Sequence, residues 1–323
     1  MKKLRGILVG IWLVNMLVCL GVAAAFYNGM PAPAPIEEAN QQVDAFIHPN
    51  QPTRTKRPTI TPIPPPTQRA TITPFPAMTR PPTTTPLVLP PAHLMVIGQS
   101  VEGRSLEVYR FGSGERKKLI VAGIHGGYEW NTVALAEELI AYVDANDGII
   151  PSDTSLYILH NLNPDGYARK KGIDGRANAN NVDLNHNFPY NWQLDWSRDG
   201  CWAWRTLTGG SEGGSEPETQ ALMAFIDKIG PEAIISYHSA ALGIFPGGNP
   251  EFAPSVRLAE AVARVSDYSY PPIDTGCDYT GNLTDWAANT RGIPAIDIEL
   301  TNHRDTDFEQ NLRVLGVFIS WNP

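Results

Sequence analysis

The sequence predicts an α/β domain with a mixed central sheet flanked by helices, confined to residues 93–323. Three observations lead there. Short apolar runs alternate with amphipathic stretches from Leu106 to the end of the chain, the pattern of one sheet-based domain with helices packed on it. Residues 1–92 lack the composition of a core. The roughly 230 residues that remain suit a single domain.

Residues 1–30 read as a signal peptide or an N-terminal membrane anchor. Lys2, Lys3 and Arg5 precede Gly6 to Phe26, a run of 21 residues broken only by Asn15. That run can span a bilayer with its basic flank in the cytoplasm. It can equally be removed after the small residues Ala23-Ala24-Ala25. Residues 31–92 read as a disordered Pro/Thr-rich linker, since 17 of the 29 prolines fall between Pro31 and Pro91. Such a segment favours extended polyproline-like conformations and acts as a semi-rigid stalk. Either reading of the leader exports the domain, anchored at the cell surface or secreted.

Charge narrows the partners. Residues 1–91 hold 8 of the 25 Lys+Arg and 3 of the 33 Asp+Glu, leaving 17 against 30, or −13, from His93 onward. A domain this acidic is not expected to bind nucleic acid. Its two cysteines, Cys201 and Cys277, can pair in an oxidising compartment. No internal repeat is visible, and a monomer is expected.

Taken in order, Leu106 to Phe111 alternates as a strand, and Leu119-Ile-Val-Ala-Gly-Ile124 is a buried strand that ends at His125. Gly126-Gly127-Tyr128 then turns the chain, and Glu129 opens a helix over 130–145, with Val133, Leu135, Ala136, Leu139 and Ile140 at helical spacing. Ser155 to His160 is a strand closed by the turn Asn163-Pro164-Asp165-Gly166. From Arg176 to Pro189 the chain is polar and rich in Asn, which suits turn caps or a ligand-facing loop. The loop from Tyr190 to Glu216 carries Trp192, Trp196, Trp202 and Trp204, either a satellite core or a cleft wall. Pro217 to Ile229 reads as a helix with Pro in its first turn. Glu232 to Tyr237 is a strand ending at His238-Ser239. Phe252 to Val265 is a helix, Tyr279-Thr280-Gly281 a turn, Pro294 to Leu300 a strand and Phe308 to Trp321 a closing helix.

Two of these strand ends carry imidazoles, and one is followed by a carboxylate. A catalytic zinc wants about three N, O or S ligands and an open position. His125 and Glu129 alone are weak evidence of one: Glu129 also suits a helix N-terminus on electrostatic grounds.

The series His125…Glu129, Asn163-Pro164-Asp165-Gly166, Arg176-Ala177-Asn178, Val182-Asp183-Leu184-Asn185-His186-Asn187-Phe188-Pro189, Ser215-Glu216-Pro217-Glu218-Thr219, Tyr237-His238-Ser239 and Asp297-Ile298-Glu299 resembles the M14 zinc metallocarboxypeptidases. The resemblance runs over about 94–323. The opening from Ile97 to Gly112 looks like the bacterial branch related to murein-peptide amidases. A carboxypeptidase-like fold and one zinc per chain are implied. By the same resemblance His125, Glu129 and His238 hold the metal. Glu299 is the general base and Arg176 stabilises the oxyanion. Asp183 orients His125, and Asn185 grips a terminal carboxylate.

Three departures bear on that expectation. The family's His-x-x-Glu is His-x-x-x-Glu here, with Tyr128 added. Where most members pair Asn with Arg to clamp the carboxylate, this chain has Asn185-His186. Tyr279 is the nearest match to the tyrosine that closes over substrate, and Thr284 falls where the terminal side chain is read. The expected function is an exported zinc peptidase acting on peptides as a carboxypeptidase. The alternatives are an amidase or endopeptidase on cell-wall peptides, and an inactive surface module that binds peptide or glycan. The membrane is a partner only if the leader is retained. His48, His93, His160 and His303 read mainly as ordinary polar residues, with His303 the candidate to line the site.

Overall fold

The computed structural model describes residues 94–169, 171–201 and 206–323. The expected leader and stalk, His48, His93, Trp202 and Trp204 lie outside the described residues. Within them no helix is long and apolar enough to cross a membrane.

Seven strands form one mixed sheet: β1 (Leu94–Gln99), β2 (Ser105–Gly112), β3 (Arg116–Val121), β4 (Thr154–Leu159), β5 (Ala233–Ser239), β6 (Ile244–Pro246) and β7 (Ala295–Leu300), in spatial order β1-β2-β4-β3-β5-β7-β6. The four inner strands β4, β3, β5 and β7 run parallel, and β1, β2 and β6 pair antiparallel at the two edges. Six helices accompany it among the described residues: α1 (Trp130–Ala145), α2 (Pro164–Arg169), α3 (Pro217–Ile229), α4 (Ala253–Ala263), α5 (Leu283–Arg291) and α6 (Phe308–Ser320).

Alternation along the inner strands feeds two cores. Ile120, Ile158, Ile235 and Ile298 point to one face, where they meet Leu139 and Val143 of α1, Leu258 of α4 and Leu315 and Phe318 of α6. Leu119, Val121, Leu159 and Ile234 point to the other, against Leu222 and Ile226 of α3 and Trp286 of α5. Strands buried on both faces must be apolar at nearly every position. Lys118 is a charged departure from that pattern: its buried Nζ donates to Glu232 (3.2 Å) and to the carbonyl of Trp321 (2.8 Å), fastening Trp321 to β3.

Two differences from the expected elements matter for the site. His238 and Ser239 lie within β5, because the strand keeps pairing with β7 through Ser239↔Leu300. The stretch after Thr284 is helical, with Asn282 capping through the amide of Asp285 and Gly292 left-handed at the end. The chain leaves β3 toward β4 on one side and later fills β5 on the other. Such a switch point opens a crevice at the carboxyl ends of the strands.

Candidate metal centre and active site

That crevice is a cleft of about 410 Å³ lined by His125, Glu129, His238, Arg176, Asp183 and Glu299 among others. The turn after β3 delivers the first pair. Tyr128 and Glu129 both donate their amides to the carbonyl of His125 (2.9 and 3.4 Å), so the added residue completes a helical turn. Residues four apart on such a turn face the same way, and Glu129 Oε1 comes within 2.7 Å of His125 Nδ1. Gly126 is held at φ +42°, and a Cβ there would lie 2.7 Å from the carbonyl oxygen of Asn163 and 2.8 Å from the amide of Tyr167. Glu129 is the residue before α1, yet its side chain caps nothing. It turns into the cleft, where Oε2 accepts from the amide of Ser239 at 3.2 Å.

Each imidazole has an oxygen within reach of its far nitrogen. His125 Nε2 lies 3.1 Å from Asp183 Oδ1, and His238 Nε2 lies 3.1 Å from Ser236 Oγ and 3.5 Å from Asp297 Oδ1. In the neutral tautomers where His125 Nε2 donates to Asp183 and His238 Nε2 donates to Ser236, the lone pairs belong to the two Nδ1 atoms. These stand 3.3 Å apart, and His238 Nδ1 is 3.2 Å from Glu129 Oε2. The ligand atoms of all three residues lie within 4.8 Å of one another and are buried. Three lone-pair donors converging in a dry site repel one another unless a cation sits among them. Two imidazole nitrogens and a carboxylate, each imidazole braced by an acceptor on its far nitrogen, fit zinc.

Around this cluster the charges are paired, with one exception. Burial works against the Arg176 cation, but Asp183 (2.8 Å from Nε) and Glu129 (3.4 Å from Nη1) hold its pKa above the ordinary value. Burial likewise opposes Asp183 and Glu129. Arg176 and the His125 hydrogen bond nevertheless keep Asp183 well below the usual carboxylate range, and the two imidazoles do so for Glu129 when they are protonated. Glu299 is the exception. Its Oε2 is buried with no hydrogen-bond partner, and burial, reinforced by the negative charge of Glu129, pushes its pKa up to about 8. It sits on β7 directly beside His238.

The rim is built from loops. Asn185 lines the cleft, its side-chain oxygen accepting from the amide of Leu283 at 3.3 Å. His186 is buried and stacks on Trp196 with centroids 3.5 Å apart and planes 11° from parallel. Arg198 stands 3.6 Å from the same ring. Two groups that close occupy opposite faces, so Trp196 is sandwiched between them. Burial pushes the His186 pKa down to about 4. Trp196 thus serves both expected roles, since it packs in a small cluster with Ala177 and Leu207 and also lines the cleft. Tyr279 is partly exposed on the rim, edge-on to Phe245. Thr284 is buried and donates to Asp297 Oδ2 at 2.7 Å. Cys201 and Cys277 are joined by a disulfide that ties the Trp-rich loop to the loop before Tyr279.

Thus the structure brings together every residue named for the site. It adds Tyr128, Ser239 and Asp297, and His303, the histidine expected to line the site, faces the same cleft. Asp297 was open to discovery: it lies two residues before Glu299 on a strand, and such residues share a face. His160 lies apart, edge-on to Tyr109.

Comparison with known proteins agrees with this arrangement. Residues 91–312 match the family model described as zinc carboxypeptidase. Murein peptide amidase A of Escherichia coli K12 is 28% identical over 242 residues, covering 70% of this chain and 89% of that protein. A metallocarboxypeptidase A-like protein of Trichophyton verrucosum is 30% identical over 253 residues, covering 67% of this chain and 58% of its own length. Among solved structures, murein-tripeptide amidase from Escherichia coli O157 superposes with a TM-score of 0.53 at 26% identity, over 72% of this chain and 94% of that one. Bovine thrombin-activatable fibrinolysis inhibitor, at 21% identity and a TM-score of 0.57, covers 70% and 88% respectively and shares the fold.

Proposed function

Because this chain belongs to the zinc carboxypeptidase family, we propose that it is an exported zinc peptidase that hydrolyses a peptide bond without needing a free carboxylate at the substrate's end. The reaction rests on one observation above others, the buried and unpartnered Oε2 of Glu299 beside the metal-binding cluster. His125, Glu129 and His238 hold zinc, which supplies a Lewis acid able to polarise a carbonyl and to acidify water. Glu299 takes the proton of the attacking water and returns it to the departing amine. A buried carboxylate oxygen with no other hydrogen-bond partner is placed for both transfers. Arg176 stays cationic and, fixed by Asp183, meets the negative charge that develops on the carbonyl oxygen. Asp183 also holds His125 in the tautomer that offers Nδ1.

His186 supports the substrate reading. Buried, stacked on Trp196 and neutral near pH 7, it offers no permanent charge to a terminal carboxylate. Among the described residues lining the cleft, Arg176 is the one Arg or Lys. A cell-wall peptide cut internally or at an amide fits this better than a terminal residue does, and the likeness to a murein peptide amidase supports the same substrate class. A strict carboxypeptidase is the second reading, favoured by Asn185 at the rim. The apolar leader supports export, as does the Cys201–Cys277 disulfide, which suits an oxidising compartment.

Elemental analysis of the full chain beside Glu129→Ala, followed by hydrolysis of matched peptides with free and amidated C-termini, tests this. About one zinc per chain is expected in the parent, with clearly weaker retention in the variant and comparable cleavage of both peptides. A parent that takes up no zinc when supplied with it sinks the enzyme and leaves a binding module. Refusal of amidated peptides alone restores the carboxypeptidase reading.

A further inference from the structure

The added residue of the metal-binding turn, Tyr128, stands against His303 with ring centroids 4.8 Å apart and 5.5 Å from the Arg176 guanidinium. Both Tyr128 and His303 line the cleft. Neither ring has a role in the reaction described above, yet the protonation of His303 is fixed by a chain of hydrogen bonds. Asn131 Nδ2 spends both hydrogens on the carbonyls of Asn302 (2.7 Å) and Asp305 (3.0 Å), so its Oδ1 faces Ser239. Ser239 donates its one hydroxyl hydrogen to that oxygen at 3.0 Å. Its oxygen can therefore only accept from His303 Nδ1, also 3.0 Å away. Burial keeps the imidazole pKa below its ordinary value, so the ring is neutral near pH 7. His303 Nε2 is left as a lone pair, and among the described residues it has no hydrogen-bond partner, nor has the Tyr128 hydroxyl.

We propose that His303 and Tyr128 form a two-point clasp for one extended residue of the peptide substrate, Nε2 of His303 accepting its N–H and the Tyr128 hydroxyl donating to its C=O. An extended residue presents its own N–H and C=O to the same side, as in an antiparallel ladder. The clasp is a rigid acceptor beside a rotatable donor, which is what that pair of groups requires. It makes the extra residue between the metal ligands a substrate-binding device and not only a spacer. The proposal rests on the peptide substrate proposed above, but it is a statement about binding and can be tested apart from turnover.

The test uses the full, zinc-loaded chain with acetylated tetrapeptides, each methylated at one backbone nitrogen in turn. Affinity is measured by calorimetry in a Glu299→Gln background, and hydrolysis in the parent. His303→Asn keeps a donor to Ser239 but removes the acceptor in the cleft. It should weaken binding and raise KM about tenfold, the scale of one hydrogen bond, while kcat and zinc content stay near the parent's. Methylation at a single position should cost the parent the same factor and cost His303→Asn nothing further. Tyr128→Phe should weaken binding by a smaller factor at the same residue. Unchanged affinity in His303→Asn overturns the clasp. So does a loss that adds in full to methylation at every position, because no N–H is then read by His303. If the parent binds peptide but cleaves none, the peptidase reading falls and the affinity data still decide the clasp. A parent that binds no peptide ends both.

Discussion

The floor and the rim of the cleft are made differently. The floor is carried by strand ends and the turns directly after them: His125 after β3, His238 on β5, Asp297 and Glu299 on β7. Its polar atoms are buried and mostly paired with one another. The rim, with Asn185, His186, Trp196, Tyr279 and Cys277, comes from long connections that hold together through a disulfide, an aromatic stack and capping bonds. A floor pinned by a sheet can absorb an added residue and still converge on the same three donors. Loops carry no such constraint, and it is on the rim that this chain departs furthest from the family pattern, with histidine in place of the clamping arginine. Chemistry is set by the sheet and selectivity by the loops.

The sharpest way to break this division is Glu299→Gln. It removes the proposed proton acceptor while keeping shape, so kcat should fall by about a thousandfold, within the range for a general base. Zinc content and thermal stability should hold. A loss of zinc would show that Glu299 supports the metal cluster and that floor and base are not separable.

Much of the floor was legible in the chain because apolar strands with His or Glu at or just past their ends announce both a sheet and what it carries, although β3 stops at Val121 and a turn carries the chain on to His125. The rest was hidden for identifiable reasons. The helix Leu283–Arg291 has few apolar residues, LTDWAANTR, and its Asn282 cap and Gly292 stop stand without a clear periodic run between them. Asp297 was read as part of a strand and of the motif around Glu299, with no role of its own. His303 lies in a loop, and its meeting with Ser239 and Tyr128 depends on where α1 and β5 place their ends, which no local pattern encodes. The His186–Trp196–Arg198 stack is likewise a tertiary fact.

A smaller effect sharpens the rim. Replacing both Cys201 and Cys277 with serine should destabilise the chain by about 2–4 kcal/mol, read as a lower thermal midpoint and a raised KM with zinc content unchanged. An unchanged midpoint and KM would mean that the rim stands without its covalent tie.

The smallest effect concerns His186. Its pKa is about 4 in the folded chain against 6.5 as the ordinary value, so between these the unfolded chain binds the extra proton. Stability from this group is therefore complete above pH 6.5 and lost as pH falls toward 4, by at most about 3 kcal/mol. His186→Phe keeps a ring on Trp196 and cannot titrate. Its stability should decline less than the parent's over that window, and parallel curves would remove burial of His186 as the cause.

Gly126 carries a consequence for anyone who redesigns this enzyme. The turn between His125 and Glu129 tolerates an inserted letter, because length is taken up as one more step of winding. It does not tolerate thickness at Gly126, where a single methyl would collide with the backbone on which Arg176's loop is threaded. A library randomised over residues 126–128 and selected for zinc retention alone should therefore return one permitted letter at the first position and many at the last. The metal-binding loop can be lengthened by selection far more readily than it can be decorated.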